Sequence, residues 1–267
     1  MKVFSVDKIY KTKVVNRPSK SIKSPYLADI IDPKDKTSIV LCHTPSLGAC
    51  GLIVPDAEVY VQEKNTKAKS KYSLDFLIYK EKRNKVTICV NPSYANSIIL
   101  NMLKKNLIVQ VDNIIPEFSI MNNRLDFKCT KGNTDIYIEV KSVILADYED
   151  VSTKEKKKLD TSIYDFNKKI AIFPDGYRKS QEDVISPRAL AQVELLTKLA
   201  KKNNTKSYLI FVCQRSDINS FTVTKLDPIY RKAVIKAINS GVNVIAYKIS
   251  WKKNIAYFTK ELDIILD

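Results

Sequence analysis

The sequence predicts an α+β protein in which a small β-barrel is followed by an α/β domain with a mixed sheet. Short apolar segments of strand length recur through residues 24–83. From residue 84 onward, strand-like segments alternate with segments whose apolar residues have helical spacing, which is typical of an α/β sheet. The chain has 267 residues, of which 45% are hydrophobic, so it can bury one large core or two smaller ones.

The predicted barrel occupies residues 24–83. Within it, Val59 and Val61 alternate with polar neighbours, as in a strand that is buried on one face. Four or five such strands in about 60 residues indicate a closed or partly open barrel of the OB type, which binds oligonucleotides on one face. Residues 1–23 are rich in lysine, and we expect a basic N-terminal extension with one strand at most.

The predicted α/β domain occupies residues 84–267. It opens with a strand over 85–91 and a helix over 91–108. The charged residues 147–170 are expected to form an insertion or loop. Further predicted elements are a helix starting at Ser186 and Pro187, a buried strand over 207–215, a helix ending near Gly241 and a strand over 243–251.

A predicted hairpin in this domain carries the strongest functional signal. Residues 124–130 and 135–143 have a period of two and are joined by a tight turn, KGNT. Alternation places Glu139 and Lys141 side by side on one face, and Asp126 can approach them from the partner strand. An acid followed by acid-x-lysine on paired strands is the arrangement of metal-dependent nucleases.

The chemistry of phosphodiester hydrolysis explains these residue types. Asp126 and Glu139 would hold Mg²⁺ or Mn²⁺, with the carbonyl of Val140 as a further ligand. The cation would activate water and screen negative charge at phosphorus, and Lys141 would orient the water. The alternative is a solvated strand face, because glutamate and lysine often alternate on exposed strands.

The charge balance predicts a polyanionic partner. Lys+Arg number 45 against 29 Asp+Glu, a net charge of +16, which favours DNA, single- or double-stranded, and then RNA. The alternative is a general lysine-rich bias in composition. We expect no membrane partner, since no apolar run approaches the roughly 20 residues of a membrane span and the N-terminus does not resemble a secretory signal. The sequence leaves a homodimer open.

The cysteines and the single histidine bear on location and metal class. The five cysteines are scattered without a CxxC pair, which indicates free thiols in a reducing, intracellular compartment. With His43 as the only histidine, a histidine-rich zinc site is excluded.

Three polar residues outside the hairpin are candidates for contact with nucleic acid. Arg188 lies in the first turn of its predicted helix, where it is either a phosphate contact or a surface arginine. Gln214 and Arg215 end a buried strand, and ligand sites in α/β sheets collect at the carboxyl ends of strands. The alternative for this pair is an ordinary polar strand end.

Several segments together resemble the sugar fermentation stimulation protein A family, over about residues 24–248. CHTPSLGACGLIVPDAEV is similar to that family's HCPNTGSMxGLxxPGxxV, VNPSYAN to VNTxxPN, and RLDF to SRxDF. YIEVKSVIL resembles YVEVKNVTL, IFPD and VCQR resemble FPD and VQR, and the segment from LDPIY to VIAY resembles IDPxY to VLAY. Each motif is short, but their order and spacing make the resemblance specific.

The resemblance implies an N-terminal OB-like domain, a restriction-endonuclease-like domain of the PD-(D/E)xK type, and nonspecific DNA binding. The family's metal-binding acids fall on Asp126 and Glu139, and its lysine on Lys141. Arg124, in RLDF, and Gln192, in PRALAQVELL, are counted with the nucleic-acid-binding residues on this basis.

The chain also departs from the family pattern. The acid expected on the helix after VNPSYAN falls at Leu100 or Asn101, the lysine and histidine positions of a later helix hold Ala191 and Gln192, and the turn at Thr44 to Leu47 is altered. Two alternatives to a nuclease therefore stay open: a non-catalytic, regulatory DNA-binding protein and an RNA-binding or RNA-processing factor.

Overall fold

The computed structural model describes residues 1–45, 48–64, 68–120, 123–176 and 178–266. It confirms the predicted α+β class, with an OB-like barrel followed by a domain that contains mixed sheets. The strands of the N-terminal third are β1 (Lys2–Ser5), β2 (Tyr10–Asn16), β3 (Leu27–Ile31), β4 (Ile39–His43), β5 (Glu58–Glu63), β6 (Tyr72–Glu81) and β7 (Asn84–Cys89).

The remaining elements form the α/β part. Its helices are α1 (Ser93–Lys104), α2 (Thr153–Lys156), α3 (Pro187–Ala200) and α4 (Pro228–Asn239). Its strands are β8 (Asn113–Ile120), β9 (Asn123–Lys131), β10 (Thr134–Val143), β11 (Ala146–Asp147), β12 (Lys169–Phe173), β13 (Thr205–Cys213), β14 (Ile218–Val223), β15 (Asn243–Lys252), β16 (Ile255–Glu261) and β17 (Asp263–Ile265).

Five strands close the barrel. They lie in the order β4-β3-β2-β5-β6, and β4 pairs in parallel with β6 to complete the circle. The alternation predicted for β5 is confirmed, since Val59 and Val61 are both fully buried in the barrel core. That core is apolar and includes Val14, Ile30, Leu74, Leu77 and Ile88.

The strand pairing gives the barrel other residue limits than those expected from the sequence. Residues 1–23 are not an extension: β2 is a central barrel strand in which Thr12 and Val14 are buried, and its partners β3 and β5 lie farther along the chain. Strand β1 leaves the barrel and pairs with β16 in the large sheet. At the other limit, β7 forms a hairpin with β6, so the barrel sheet continues beyond residue 84.

The large sheet has seven strands in the order β1-β16-β15-β13-β10-β9-β8. Its centre is parallel, with β10, β13 and β15 side by side, and its flanks are antiparallel. Helix α1 packs on the face that carries Ile136 and Ile138. Helices α3 and α4 pack on the opposite face, which carries Tyr137 and Val143. The central strand β10 is therefore covered on both faces.

The predicted helix boundaries follow from capping. Oγ of Ser186 accepts from the backbone N–H of Ala189, with Pro187 as the first helical residue of α3. Asp227 caps α4 in the same way, and Gly241 follows the helix with φ of 89°.

Residues 147–170 are less irregular than expected. They include α2, and Phe166 packs into the barrel core, so the segment joins the barrel to the second sheet, β11-β12-β14-β17. No helix within the described residues is long and apolar enough to cross a bilayer. All five cysteines are free thiols, and four of them are buried.

Candidate active site

The hairpin formed by β9 and β10 carries the three residues predicted to be catalytic. Ile138 and Phe127 are the last pair of its register. Just beyond that pair, Oδ2 of Asp126 accepts a hydrogen bond of 2.7 Å from the backbone N–H of Val140. The carboxylate thus takes the place of a strand partner, and this fixes Asp126 against β10.

The second oxygen of Asp126 is held by helix α1. Oδ1 accepts a hydrogen bond of 2.7 Å from Nδ2 of Asn96. Because each carboxylate oxygen has two lone pairs, both oxygens keep capacity for a further ligand. The sequence reasoning missed Asn96, since the helical spacing that predicts α1 does not show which polar residue meets β9.

Glu139 lies in a buried setting beside Lys141. Its residue exposure is 3%, and Oε1 accepts a hydrogen bond of 2.6 Å from Nζ of Lys141. The other oxygen, Oε2, is buried and has no hydrogen-bond partner among the described residues. Burial raises the pKa of the Glu139 carboxyl to about 7, an effect that Lys141 opposes and the charge of Asp126 reinforces. This strand face is enclosed rather than solvated.

Lys141 is held at two points. Besides Glu139, its ammonium group donates a hydrogen bond of 2.6 Å to Oε1 of Gln192 on α3. Gln192 in turn donates from Nε2 to the backbone carbonyl of Arg124, at 3.0 Å. Since an ammonium group has three N–H donors, one remains for another acceptor. The amide of Gln192 therefore links the lysine, helix α3 and the start of β9.

The residues predicted to bind nucleic acid divide into two groups, and the first lies near the hairpin. Arg188 and Arg124 are exposed; Arg188 stands one turn before Gln192, and Arg124 forms an ion pair with Glu117. The charge of Arg188 lowers the pKa of Glu139, so the guanidinium acts within electrostatic range of the site. Gln192 is 2% exposed, and it contacts Lys141 rather than facing solvent.

The second group, Gln214 and Arg215, follows β13 and lies beside the end of β10. The Arg215 guanidinium is 2% exposed and donates two hydrogen bonds of 2.7 Å to Asp217. Gln214 is fully buried and donates from Nε2 to Oγ of Ser142. The barrel covers this end of β13, because the N–H of Cys89 donates to the carbonyl of Gln214. The structure thus places Gln214 against the hairpin strand β10, but within the described residues neither Gln214 nor Arg215 hydrogen-bonds to Asp126, Glu139 or Lys141.

The residues of α1 that depart from the family pattern contact the core and strand β1. Leu100, on α1, is half-buried and packs against the core, and Nδ2 of Asn101 donates to the carbonyl of Val3 on β1, at 3.0 Å. Neither takes the place of an acid beside Asp126. In the altered turn, residues 46 and 47 lie outside the described residues.

The donor set fits a hard divalent cation. A buried carboxylate oxygen without a partner is unfavourable unless a proton or a cation compensates it, and Oε2 of Glu139 is such an atom. Asp126 offers further lone pairs on the neighbouring strand. Within the described ranges, no three His, Cys, Asp or Glu side chains converge to form a closed metal cage. Water and other oxygen ligands would complete the shell of such a cation.

Comparisons with known proteins agree with this architecture. Residues 93–255 match the domain described as the sugar fermentation stimulation protein RE domain. A sugar fermentation stimulation protein homolog of Pelagibacter ubique is 31% identical over 241 residues, which cover 88% of this chain and 90% of the relative. A homolog of Thermoanaerobacter sp. is 28% identical over 232 residues, with coverage of 85% and 86%.

A solved structure extends the likeness to the fold of the whole chain. The structure of Pyrococcus furiosus SfsA in complex with Ca²⁺ matches with a TM-score of 0.75 and 17% sequence identity, over 99% of each chain. At this identity the match concerns the fold, including the barrel and the mixed sheets. From the domain match and the homolog of Pelagibacter ubique together, it follows that the chain belongs to the sugar fermentation stimulation protein family.

Proposed function

We propose that this chain is a Mg²⁺- or Mn²⁺-dependent nuclease that hydrolyses phosphodiester bonds of DNA, with RNA as a second substrate. The observation that carries the proposal is the unpartnered oxygen of Glu139, buried beside a lysine and near a second carboxylate. A buried carboxylate whose pKa is raised in this way is typical of functional sites.

Two side chains would hold the cation. Asp126 and Glu139 supply the carboxylates, and Val140, which follows Glu139 directly, supplies a backbone carbonyl. A divalent cation at this position contributes Lewis-acid stabilisation of the phosphate and lowers the pKa of water. The related SfsA of Pyrococcus furiosus was solved in complex with Ca²⁺, which supports divalent cation binding in this family.

The other residues would position water and substrate. Lys141 has one donor left after its bonds to Glu139 and Gln192, and that donor would orient water or stabilise charge that develops at phosphorus. Arg188 and Arg124, both exposed, would hold the phosphates on either side of the reacting group.

The experiment is a cleavage assay on the full chain. Labelled single- and double-stranded DNA and RNA are incubated with protein and Mg²⁺, Mn²⁺ or EDTA, and we expect products only with metal. Glu139→Gln should still fold and bind DNA, and should cleave at least about 10²–10³ times more slowly. Asp135→Asn, on the same hairpin but paired with Lys128, is the matched control. Equal rates for wild type and Glu139→Gln would refute the proposal.

A second candidate is a DNA-binding protein without cleavage activity. It is favoured by the packing of Leu100 against the core and of Asn101 against β1, because α1 then supplies an amide, Asn96, rather than an acid to the site. The same assay separates the two functions. DNA binding without products under any metal condition would select the non-catalytic function.

A further inference from the structure

A second basic site lies outside the hairpin, between the outer face of the barrel and the turn that joins β15 to β16. It is a groove of about 490 Å³. Barrel strands β2, β5, β6 and β7 form one wall, and the end of β15 forms the other. The side chains that matter here are Lys11, Lys80, Lys85, Lys253, Tyr60 and Trp251.

The groove carries an excess of positive charge. Four lysines line it against one acid, Glu58, whose carboxylate is 3.5 Å from Nζ of Lys11 and 3.1 Å from Nζ of Lys80. Lys85 and Lys253 are exposed, and within the described part of the chain neither forms an ion pair with an acid. Two cations on opposite walls are thus available for an anionic ligand.

Aromatic side chains lie among these cations. On β5, Val59 and Val61 point into the barrel core, so the ring of Tyr60 between them is on the outer face, where it is half-buried and packs against the cluster that contains Trp251. Trp251 is 5% exposed, and its Nε1 is buried without a hydrogen-bond partner among the described residues. A positively charged groove with aromatic rings is the combination that receives single-stranded nucleic acid.

The groove is separate from the candidate active site. The strand register aligns Lys141 with Phe211 and then with Ala246, seven residues before Lys253. At about 3.3 Å per residue and 4.8 Å per strand, the two sites are roughly 25 Å apart. They also lie on opposite faces of the sheet, since Tyr137 packs on the side of α3 and α4, whereas Trp251 packs on the side of α1.

We infer that this groove binds a single strand of nucleic acid, with Lys85 and Lys253 on successive phosphates and Tyr60 against a base. The inference rests on the proposed function only in taking nucleic acid as the ligand. It does not require cleavage, because the groove and the carboxylates are different sites. A single strand is favoured over a duplex, because stacking on Tyr60 requires an unpaired base.

Trp251 makes the inference measurable, because it is the only tryptophan in the chain. Full-length protein in EDTA is titrated with a short oligothymidylate, and tryptophan fluorescence is recorded. We expect a saturable change in emission. Lys85→Glu with Lys253→Glu should weaken binding by about tenfold or more, because contacts to two phosphates are lost. The matched charge reversal Lys201→Glu with Lys232→Glu, at exposed positions just after α3 and on α4, should change affinity much less.

Further measurements test whether the ligand of the groove is single-stranded nucleic acid rather than another polyanion or a duplex. Tyr60→Ala should weaken oligonucleotide binding by about tenfold, because base stacking is lost, and should leave binding of inorganic polyphosphate unchanged. Equal affinity of the groove and control charge reversals would overturn the inference. Tighter binding of duplex than of single strand, or an oligonucleotide affinity unchanged by Tyr60→Ala, would also overturn it.

The same titration with Glu139→Gln separates this inference from the proposed function. Binding should match wild type, because Glu139 is remote from the groove. A wild-type chain that binds in the groove but cleaves nothing would refute the nuclease alone. A chain that cleaves in a Glu139-dependent way, but whose binding ignores the groove variants, would refute the groove alone.

Discussion

Lys141 and Gln192 are joined by a hydrogen bond of 2.6 Å from the ammonium group to the amide oxygen, across 51 residues of sequence. A bond of equal length ties the same ammonium to Glu139. Two of the three donors of Lys141 are therefore committed, and the direction of the third is set by the other two. Gln192 is fixed in its turn by the carbonyl of Arg124. The amide thus acts as a support for the lysine.

The first prediction is that Gln192→Met slows cleavage without loss of metal. Methionine keeps the approximate length of the side chain but cannot accept from Lys141, so the ammonium loses one of its two fixed partners. We expect kcat to fall on the order of tenfold to a hundredfold, as for other small misplacements of a positioned group. Mn²⁺ affinity, measured by calorimetry, should stay within about twofold, because both carboxylates remain.

The control for this variant is Glu194→Gln on the same helix. Glu194 is exposed and faces away from the hairpin, next to Lys198 and the groove between α3 and α4. The kcat of the Glu194→Gln variant should equal that of wild type. A Gln192→Met protein with wild-type kcat would show that the amide has no supporting role.

A second prediction follows from the raised pKa of Glu139. Burial lifts it to about 7 from an ordinary value of 4.5, so the native state binds more protons than the unfolded state between these pH values. The free energy of unfolding should therefore fall as pH rises from about 4.5 to 7 through this group. Glu139→Gln imitates the protonated form and should be more stable than metal-free wild type at about pH 8, by about 1–3 kcal/mol.

Denaturant unfolding at several pH values checks this. The stabilities of the two proteins should converge near pH 4.5, where wild-type Glu139 is already protonated. Added Mn²⁺ should raise the melting temperature of wild type at about pH 8 and should have little effect on Glu139→Gln, because only wild type offers the ionised carboxylate. Parallel stability curves at every pH would contradict the prediction.

A third prediction concerns Arg215, which the sequence assigned to phosphate contact. Arg215→Met removes two hydrogen bonds to Asp217, a fully buried carboxylate that keeps an ion pair of 3.3 Å with Lys169, and it also breaks a bond of 2.8 Å to the carbonyl of Ile144. Breaking a buried pair typically destabilises by about 3–5 kcal/mol, and because Lys169 still compensates Asp217 we expect the lower end of this range. Arg124→Met, at an exposed position, should cost far less.

The readout that distinguishes the two roles of Arg215 is DNA affinity below the melting temperature. If Arg215 is structural, folded Arg215→Met protein binds DNA as wild type does, while Arg124→Met binds more weakly. A large loss of DNA affinity in a stably folded Arg215→Met protein would instead support the predicted contact between Arg215 and phosphate.

The pattern of alternating residues was sufficient to predict the hairpin. The faces of β10 and the proximity of Glu139 to Lys141 depend on a period of two within one strand, which the sequence displays directly. The helix start at Ser186 and the helix end near Gly241 could also be predicted, because capping is local. These are interactions between residues only a few positions apart.

Contacts between segments that are distant in sequence could not be predicted in this way. Asn96 reaches Asp126 across 30 residues, and no spacing rule selects it. Strand β1 has its partner near residue 256, so its short pattern resembled an extension. Arg215 was assigned by the rule that strand ends bind ligands, but the barrel covers that end of β13. Whether an edge is open depends on packing between distant parts of the chain.

The last prediction separates the two effects of Lys141 by pH. Its positive charge lowers the pKa of Glu139, so Lys141→Met should push that pKa above its wild-type value of about 7. At neutral pH the carboxyl would then be protonated, and both Mn²⁺ binding and cleavage should be lost. At about pH 9, the ionised fraction recovers, and Mn²⁺ affinity should return towards that of wild type. Cleavage should not return, because the donor that supports charge in the transition state is absent. Calorimetry and single-turnover cleavage at both pH values test this. Recovery of both Mn²⁺ affinity and cleavage at about pH 9 would mean that Lys141 acts only through the pKa of Glu139. Wild-type Mn²⁺ affinity and cleavage of Lys141→Met at neutral pH would show that Lys141 is not part of the site.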